Sequence, residues 1–172
     1  MQDKPSVAPS WIREVLPAAA LIVRPEQSAY GLWEFSLPPM RGDPRAKPVC
    51  REIHVVRSVR RAGWNAYWRP GIRHASWNAI WPDEVRSIRG LIKEAPSEVR
   101  EALRRIRSDV KGVTRAGFGW PDLVIWHPRR DAVRFIEVKG PKEPMRQTQV
   151  LWVERAFASG AIDSSDLGIV RL

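Results

Sequence analysis

Three charged side chains lie where the apolar pattern of the chain is densest. Asp122 opens the run Leu123–Trp126, and Glu137 and Lys139 stand two apart inside Val133–Lys139. On an extended strand, residues two apart share a face, so Phe135, Glu137 and Lys139 project together. If the two strands pair as a hairpin, both carboxylates and the ammonium converge at one end of a sheet. Close carboxylates repel each other and raise their own pKa unless a cation intervenes. A hard divalent cation answers that need: Mg²⁺, with Mn²⁺ as substitute, takes one or two carboxylates and keeps several waters. A phosphate would fill its remaining positions, which suits metal-assisted phosphodiester hydrolysis. The bland alternatives are a turn carboxylate capping backbone N–H groups for Asp122, and a solvated ion pair for Glu137 and Lys139.

Other chemistries find no support. His54, His74 and His127 lack metal-ligand spacing and no cysteine pair joins them, which argues against a zinc site. There is no G-x-S-x-G elbow and no phosphate-binding glycine loop. The single cysteine, Cys50, allows no internal disulfide and suits a reducing compartment. No run of about 18 apolar residues exists to cross a membrane, and Met1–Ser10 does not read as a secretory signal.

The partner is a polyanion. The 172 residues carry 29 Lys plus Arg against 19 Asp plus Glu, a net +10. Residues 49–110 hold 13 basic and 7 acidic side chains, most of the excess, and 23 of the basic residues are arginine. The arginine fork grips phosphate bidentately, although arginine-rich codon usage would raise the same count. Arg57, Arg60, Arg61, Arg69, Arg73 and Lys142 are the candidate nucleic-acid contacts. Trp64, Trp68, Trp77 and Trp81 interleave with Arg60, Arg61, Arg69 and Arg73, an arrangement that serves either base stacking or core packing.

These residues need elements to hold them. Residues 1–48 contain 8 of the 15 prolines and read as an N-terminal arm packing on the core. Within it lie an amphipathic turn at Trp11–Leu16, a strand at Ala18–Val23, an edge strand at Gly31–Leu37 and a loop at Pro38–Pro48. Residues 49–172 form the remaining domain. Cys50–Ala62 is a helix with Glu52, Val56 and Val59 on one stripe; Arg57, Arg60 and Arg61 point away. Trp64–Arg69 follows as a strand and Pro70–Asp83 as a loop, and Ser97 caps a helix with Glu98 and Glu101 in its first turn. Pro121–Trp126 and Val133–Lys139 pair as a hairpin, Gln147–Ala158 is a helix and Gly168–Leu172 a final strand. The sum is α/β, helices packed on a small sheet.

Gly119–Trp120–Pro121–Asp122–Leu123, Glu137–Val138–Lys139–Gly140–Pro141, and then Gln149 and Trp152, together resemble the VRR-NUC branch of the PD-(D/E)XK nuclease superfamily. Gln149 lies ten residues past Lys139, and Trp152 three further on, as in that branch; Met145 stands where leucine is usual. The match is dense over residues 117–172. The resemblance implies a restriction-endonuclease-like core, a small mixed β-sheet flanked by helices. It implies metal binding by Asp122, Glu137 and the Val138 carbonyl, Lys139 orienting the attacking water, and Gln149 touching the lysine, the water or the phosphate. It also implies a glutamate on an early core helix. Glu52 is the choice because a charge on an apolar stripe is costly unless it is bound or paired; Glu98 and Glu101 are the alternatives.

The expected function is a Mg²⁺-dependent nuclease acting on DNA, endo or exo, structure-specific or not, leaving 5′-phosphate ends as the resemblance implies. A catalytically inactive nucleic-acid-binding module of the same fold, or an RNase, is the alternative. The family's roles include DNA repair, phage enzymes and antibacterial toxins; for a toxin domain the partner would be an immunity protein. A homodimer is compatible with the sequence, a membrane is not among the partners, and the place of action is the cytoplasm, its own or a target cell's.

Overall fold

The computed structural model describes residues 7–38, 48–68, 95–109, 119–130, 132–160 and 162–172. Its elements are α1 (Ser10–Val15), β1 (Ala20–Val23), β2 (Trp33–Ser36), α2 (Pro48–Arg61), β3 (Asn65–Trp68), α3 (Ser97–Asp109), β4 (Leu123–Trp126), β5 (Val133–Lys139), α4 (Gln147–Ala158) and β6 (Leu167–Arg171). The six strands form one sheet in the order β1-β2-β6-β5-β4-β3. β2 and β5 flank β6 in parallel, and the other neighbours are antiparallel. This mixed sheet with helices on both faces is the expected α/β architecture. Among the described residues no helix is long and apolar enough to cross a membrane.

The two faces can be read from β5. Ile136 and Val138 pack with Ile53, Val55, Val56 and Val59 of α2 and Ile12 and Val15 of α1. Phe135 packs with Trp152, Val153 and Ala156 of α4 and Val99 of α3. The alternation of β5 therefore turns Glu137 and Lys139 toward α4. Each fully buried aliphatic on α2 contributes about 1.5–3 kcal/mol by leaving water, which anchors the helix despite its arginines. α2 stops where Gly63 takes φ +81°, a conformation that favours glycine, with its N–H on the Arg60 carbonyl at 3.0 Å.

Several boundaries differ from expectation. Gly31–Leu37 is expected at an edge, but its strand, β2, lies inside the sheet, and β1 is the edge strand. Pro48 begins α2 rather than ending a loop; proline suits a first helical position, where its missing N–H costs nothing. Pro121 and Asp122 precede β4, because the Asp122 carboxylate accepts the Val138 N–H at 2.9 Å in place of a ladder bond. Ser97 is the first helical residue of α3 and its hydroxyl donates to Glu98 at 2.8 Å. The expected loop Pro70–Asp83, with His74, Trp77 and Trp81, lies outside the described residues.

Candidate active site

The hairpin positions the acids. The β4–β5 register pairs Leu123 with Ile136 and Val124 with Phe135, so Asp122 arrives beside Glu137 at the end of β4. Glu137 and Lys139 are 2% and 3% exposed, burial that ionisable groups tolerate only with partners. The Lys139 ammonium is 2.8 Å from Glu137 Oε1 and donates to Gln149 Oε1 at 3.0 Å. The Gln149 amide N–H₂ in turn donates to Glu137 Oε1. Gln149 is fixed from the other side, since its Oε1 also accepts the Arg146 N–H at 2.8 Å. The first turn of α4 and the end of β5 thus share one side chain.

Charge is crowded here. Burial pushes the Glu137 carboxyl up to about 8, the Asp122 charge adds to the rise, and Lys139 opposes it. Asp122 is also raised by burial, held back by the Val138 N–H and the Lys139 charge. On α2, burial lifts Glu52 to about 7, with the Asp122 charge as the next cause and Glu143 contributing. Glu52, on the helix that packs against the other face of the sheet from α4, therefore feels the charge of the same acid. The Oε2 atoms of both Glu52 and Glu137 are buried and accept no hydrogen bond among the described residues. Carboxylates raised by burial, two of them also by the Asp122 charge, with orphaned oxygens on Glu52 and Glu137, suit a divalent cation. Among the described residues no three His, Cys, Asp or Glu side chains form a ready-made cluster. The protein's offer is one or two close carboxylates, the number Mg²⁺ ordinarily takes.

The sequence model of the VRR-NUC domain matches residues 78–163, half of the 172-residue chain. The chain belongs to the VRR-NUC domain family. The matched span takes in Asp122, Glu137, Lys139 and Gln149 and leaves Glu52 outside. No curated protein matches the chain.

Around the VRR-NUC motif lie residues the sequence did not single out. Glu143, on the turn after β5, accepts the Gly140 N–H at 3.0 Å and stands 3.6 Å from Arg51 and 3.8 Å from Lys139. Arg146 lowers Asp122 through its charge. Arg171 of β6 pairs with Glu34 of β2 at 2.7 Å and donates to the carbonyls of Gly140 at 3.2 Å and Glu143 at 2.9 Å. The turn that follows the motif lysine is therefore clamped from β2 and β6. A buried glutamate in a short strand and an arginine at the end of another were the available signals, 137 positions apart.

The arginines and tryptophans divide. Arg57 and Arg61 are exposed on α2 and Lys142 on the turn beside the site. Arg60 folds back to donate to the Ala66 carbonyl at 3.3 Å. Arg69 and Arg73 lie outside the described residues. Trp64 and Trp68 are 3% and 1% exposed, so these two fill the core rather than meeting bases. Trp152 is buried against Phe135 and Trp120, with ring centroids 5.4 and 5.2 Å apart. His127 accepts the Arg129 N–H at 3.1 Å and meets the Trp64 ring edge-on. Glu98 and Glu101 are exposed on α3, with Glu101 paired to Arg104 at 3.2 Å.

Proposed function

We propose that this VRR-NUC domain is a divalent-metal-dependent DNA nuclease. The observation that carries the reading is the buried Glu137–Lys139–Gln149 network joined to Asp122, with an orphaned Glu137 oxygen beside it. Glu137, Asp122 and the Val138 carbonyl would hold Mg²⁺, with Glu52 completing the set from α2. The bound ion supplies Lewis acidity toward the phosphate and eases deprotonation of water. Lys139, held by Glu137 and Gln149, orients the attacking water and offsets negative charge on the oxygens of the pentacovalent phosphate. Gln149 keeps the ammonium aimed, because its amide links lysine and carboxylate at once. A nucleic-acid substrate is favoured by the net +10 and by exposed Arg57, Arg61 and Lys142, whose contacts with phosphate release counterions; DNA is the class we propose. The products carry 5′-phosphates, and the place of action is cytoplasmic.

Plasmid nicking with Mg²⁺ and with EDTA, beside labelled flaps, junctions, duplexes, single strands and RNA, tests the proposal. Wild-type protein should cut DNA only with metal. Asp122→Asn and Glu137→Gln should each lose at least about a hundredfold in rate while keeping fold and DNA affinity. Cleavage in EDTA, or full activity in either variant, would overturn it.

A further inference from the structure

Glu143 is a carboxylate held as a phosphate would be. One N–H donor and two cations face it: the Gly140 N–H donates at 3.0 Å, while the Arg51 guanidinium of α2 at 3.6 Å and the Lys139 ammonium of β5 at 3.8 Å stand at ion-pair distance. Backbone N–H plus guanidinium plus ammonium is the donor set proteins use for phosphate oxygens. Gly140 makes the close approach possible, since a Cβ there would sit 2.8 Å from Arg51 Nη1. The occupant is replaceable: Glu143 is 44% exposed, whereas Lys139 is 3% exposed. Its backbone is pinned separately, by Arg171 on the Gly140 and Glu143 carbonyls, so the side chain can leave without moving the turn.

We propose that Gly140 N–H, Arg51 and Lys139 form a seat for a backbone phosphate of the nucleic-acid substrate, plugged by the Glu143 carboxylate until substrate displaces it. The proposal rests on the nuclease reading and adds to it a specific phosphate subsite and an internal competitor. In the free protein Glu143 neutralises Arg51 and shields Lys139. When a phosphate enters, the carboxylate swings to solvent and the ammonium meets the substrate. Lys142 and Arg146, exposed on either side, keep the approach positive.

The test is a double-mutant cycle on DNA affinity in EDTA, read by fluorescence anisotropy of a labelled duplex. Glu143→Ala should bind about tenfold tighter than wild type, the size of one charge-assisted hydrogen bond. Arg51→Ala alone should cost less than about twofold, because the plug already neutralises it, and should cancel the gain when combined with Glu143→Ala. Glu154→Gln, removing an exposed acid on α4, controls for net charge and should shift affinity by less than about twofold. A Glu143→Ala affinity within twofold of wild type, or a gain that survives Arg51→Ala, overturns the seat. Should no variant bind or cut any nucleic acid, the nuclease reading falls. The seat is then judged by ³¹P line broadening of inorganic phosphate, present in Glu143→Ala and lost in the double variant if it stands, absent from both if it falls.

Discussion

Glu52→Gln separates a metal-site acid from a merely buried one. Glutamine keeps the shape of glutamate and removes the charge, so no cavity forms and only the electrostatic cost changes. In the folded protein burial and the Asp122 charge place Glu52 at about 7, against an ordinary 4.5. A carboxyl raised in the folded state holds its proton there while the unfolded chain has lost it. Folded stability from this group is therefore complete below the unfolded value and drains away as pH rises through about 7. At about 1.4 kcal/mol per pH unit, the gap caps the effect near 3 kcal/mol; coupling to Asp122 leaves about 1–3 kcal/mol. For a chain of this size that is roughly 2–10 °C in Tm. Thermal unfolding in EDTA should find Glu52→Gln more stable than wild type by that amount at pH 8, and the two close together at pH 5. Mg²⁺ should raise Tm at pH 8 more for wild type than for the variant, because the ion binds the ionised carboxylate. Glu98→Gln and Glu101→Gln, on the exposed start of α3, should leave the response of Tm to Mg²⁺ unchanged. Lower stability of Glu52→Gln at both pH values, or an equal response to Mg²⁺, would refute the placement.

Cleavage at limiting Mg²⁺ should rise with pH across about 7 to 8, as Glu52 and Glu137 lose the protons that burial favours, and saturating metal should shift the rise to lower pH; an acid-favoured profile would contradict it. Replacing Arg57 and Arg61 with serine should flatten the salt dependence of metal-free DNA binding by about one to two in slope. Adding Arg60→Ser should contribute less to that slope, since this guanidinium donates to Ala66, but should lower Tm. Glu34→Gln should destabilise by about 1–3 kcal/mol, measured by denaturant unfolding, because Arg171 is left less than fully paired at a site only 14% exposed.

The parts of the site that were legible are those the chain spells out locally. Short apolar-rich runs and the turn between them announced β4 and β5, and pairing them brought Asp122 to Glu137. The ten-residue step from Lys139 to Gln149 proved to span one turn and the start of α4. Glu52 stood out because a carboxylate on an apolar helical stripe calls for an explanation. Parallel pairing leaves no such local trace. β2 joins β6 with more than a hundred intervening residues, no turn chemistry links them, and so β2 read as an edge. Glu143 drew no notice in the sequence because its meaning depends on Arg51, far earlier in the chain. Tryptophans beside arginines suited nucleic acid and core equally, and only burial separated them for Trp64 and Trp68.

The position of β6 has a further consequence, in the order of events during synthesis. Translation proceeds from the N-terminus, so among the described strands β1 and β2 emerge before β3, β4 and β5, and β6 emerges after them. Until it does, β2 has only β1 as a sheet partner and β5 has only β4. β6 is the seam between two halves of the described sheet, and it also carries Arg171, whose guanidinium donates to carbonyls of the Gly140–Glu143 turn. A ribosome-bound chain lacking that strand can form the β4–β5 hairpin but cannot clamp the turn that follows Lys139. Completion of the site therefore waits on β6, and a stop before Leu167 would leave the acids and lysine without the frame that aligns them.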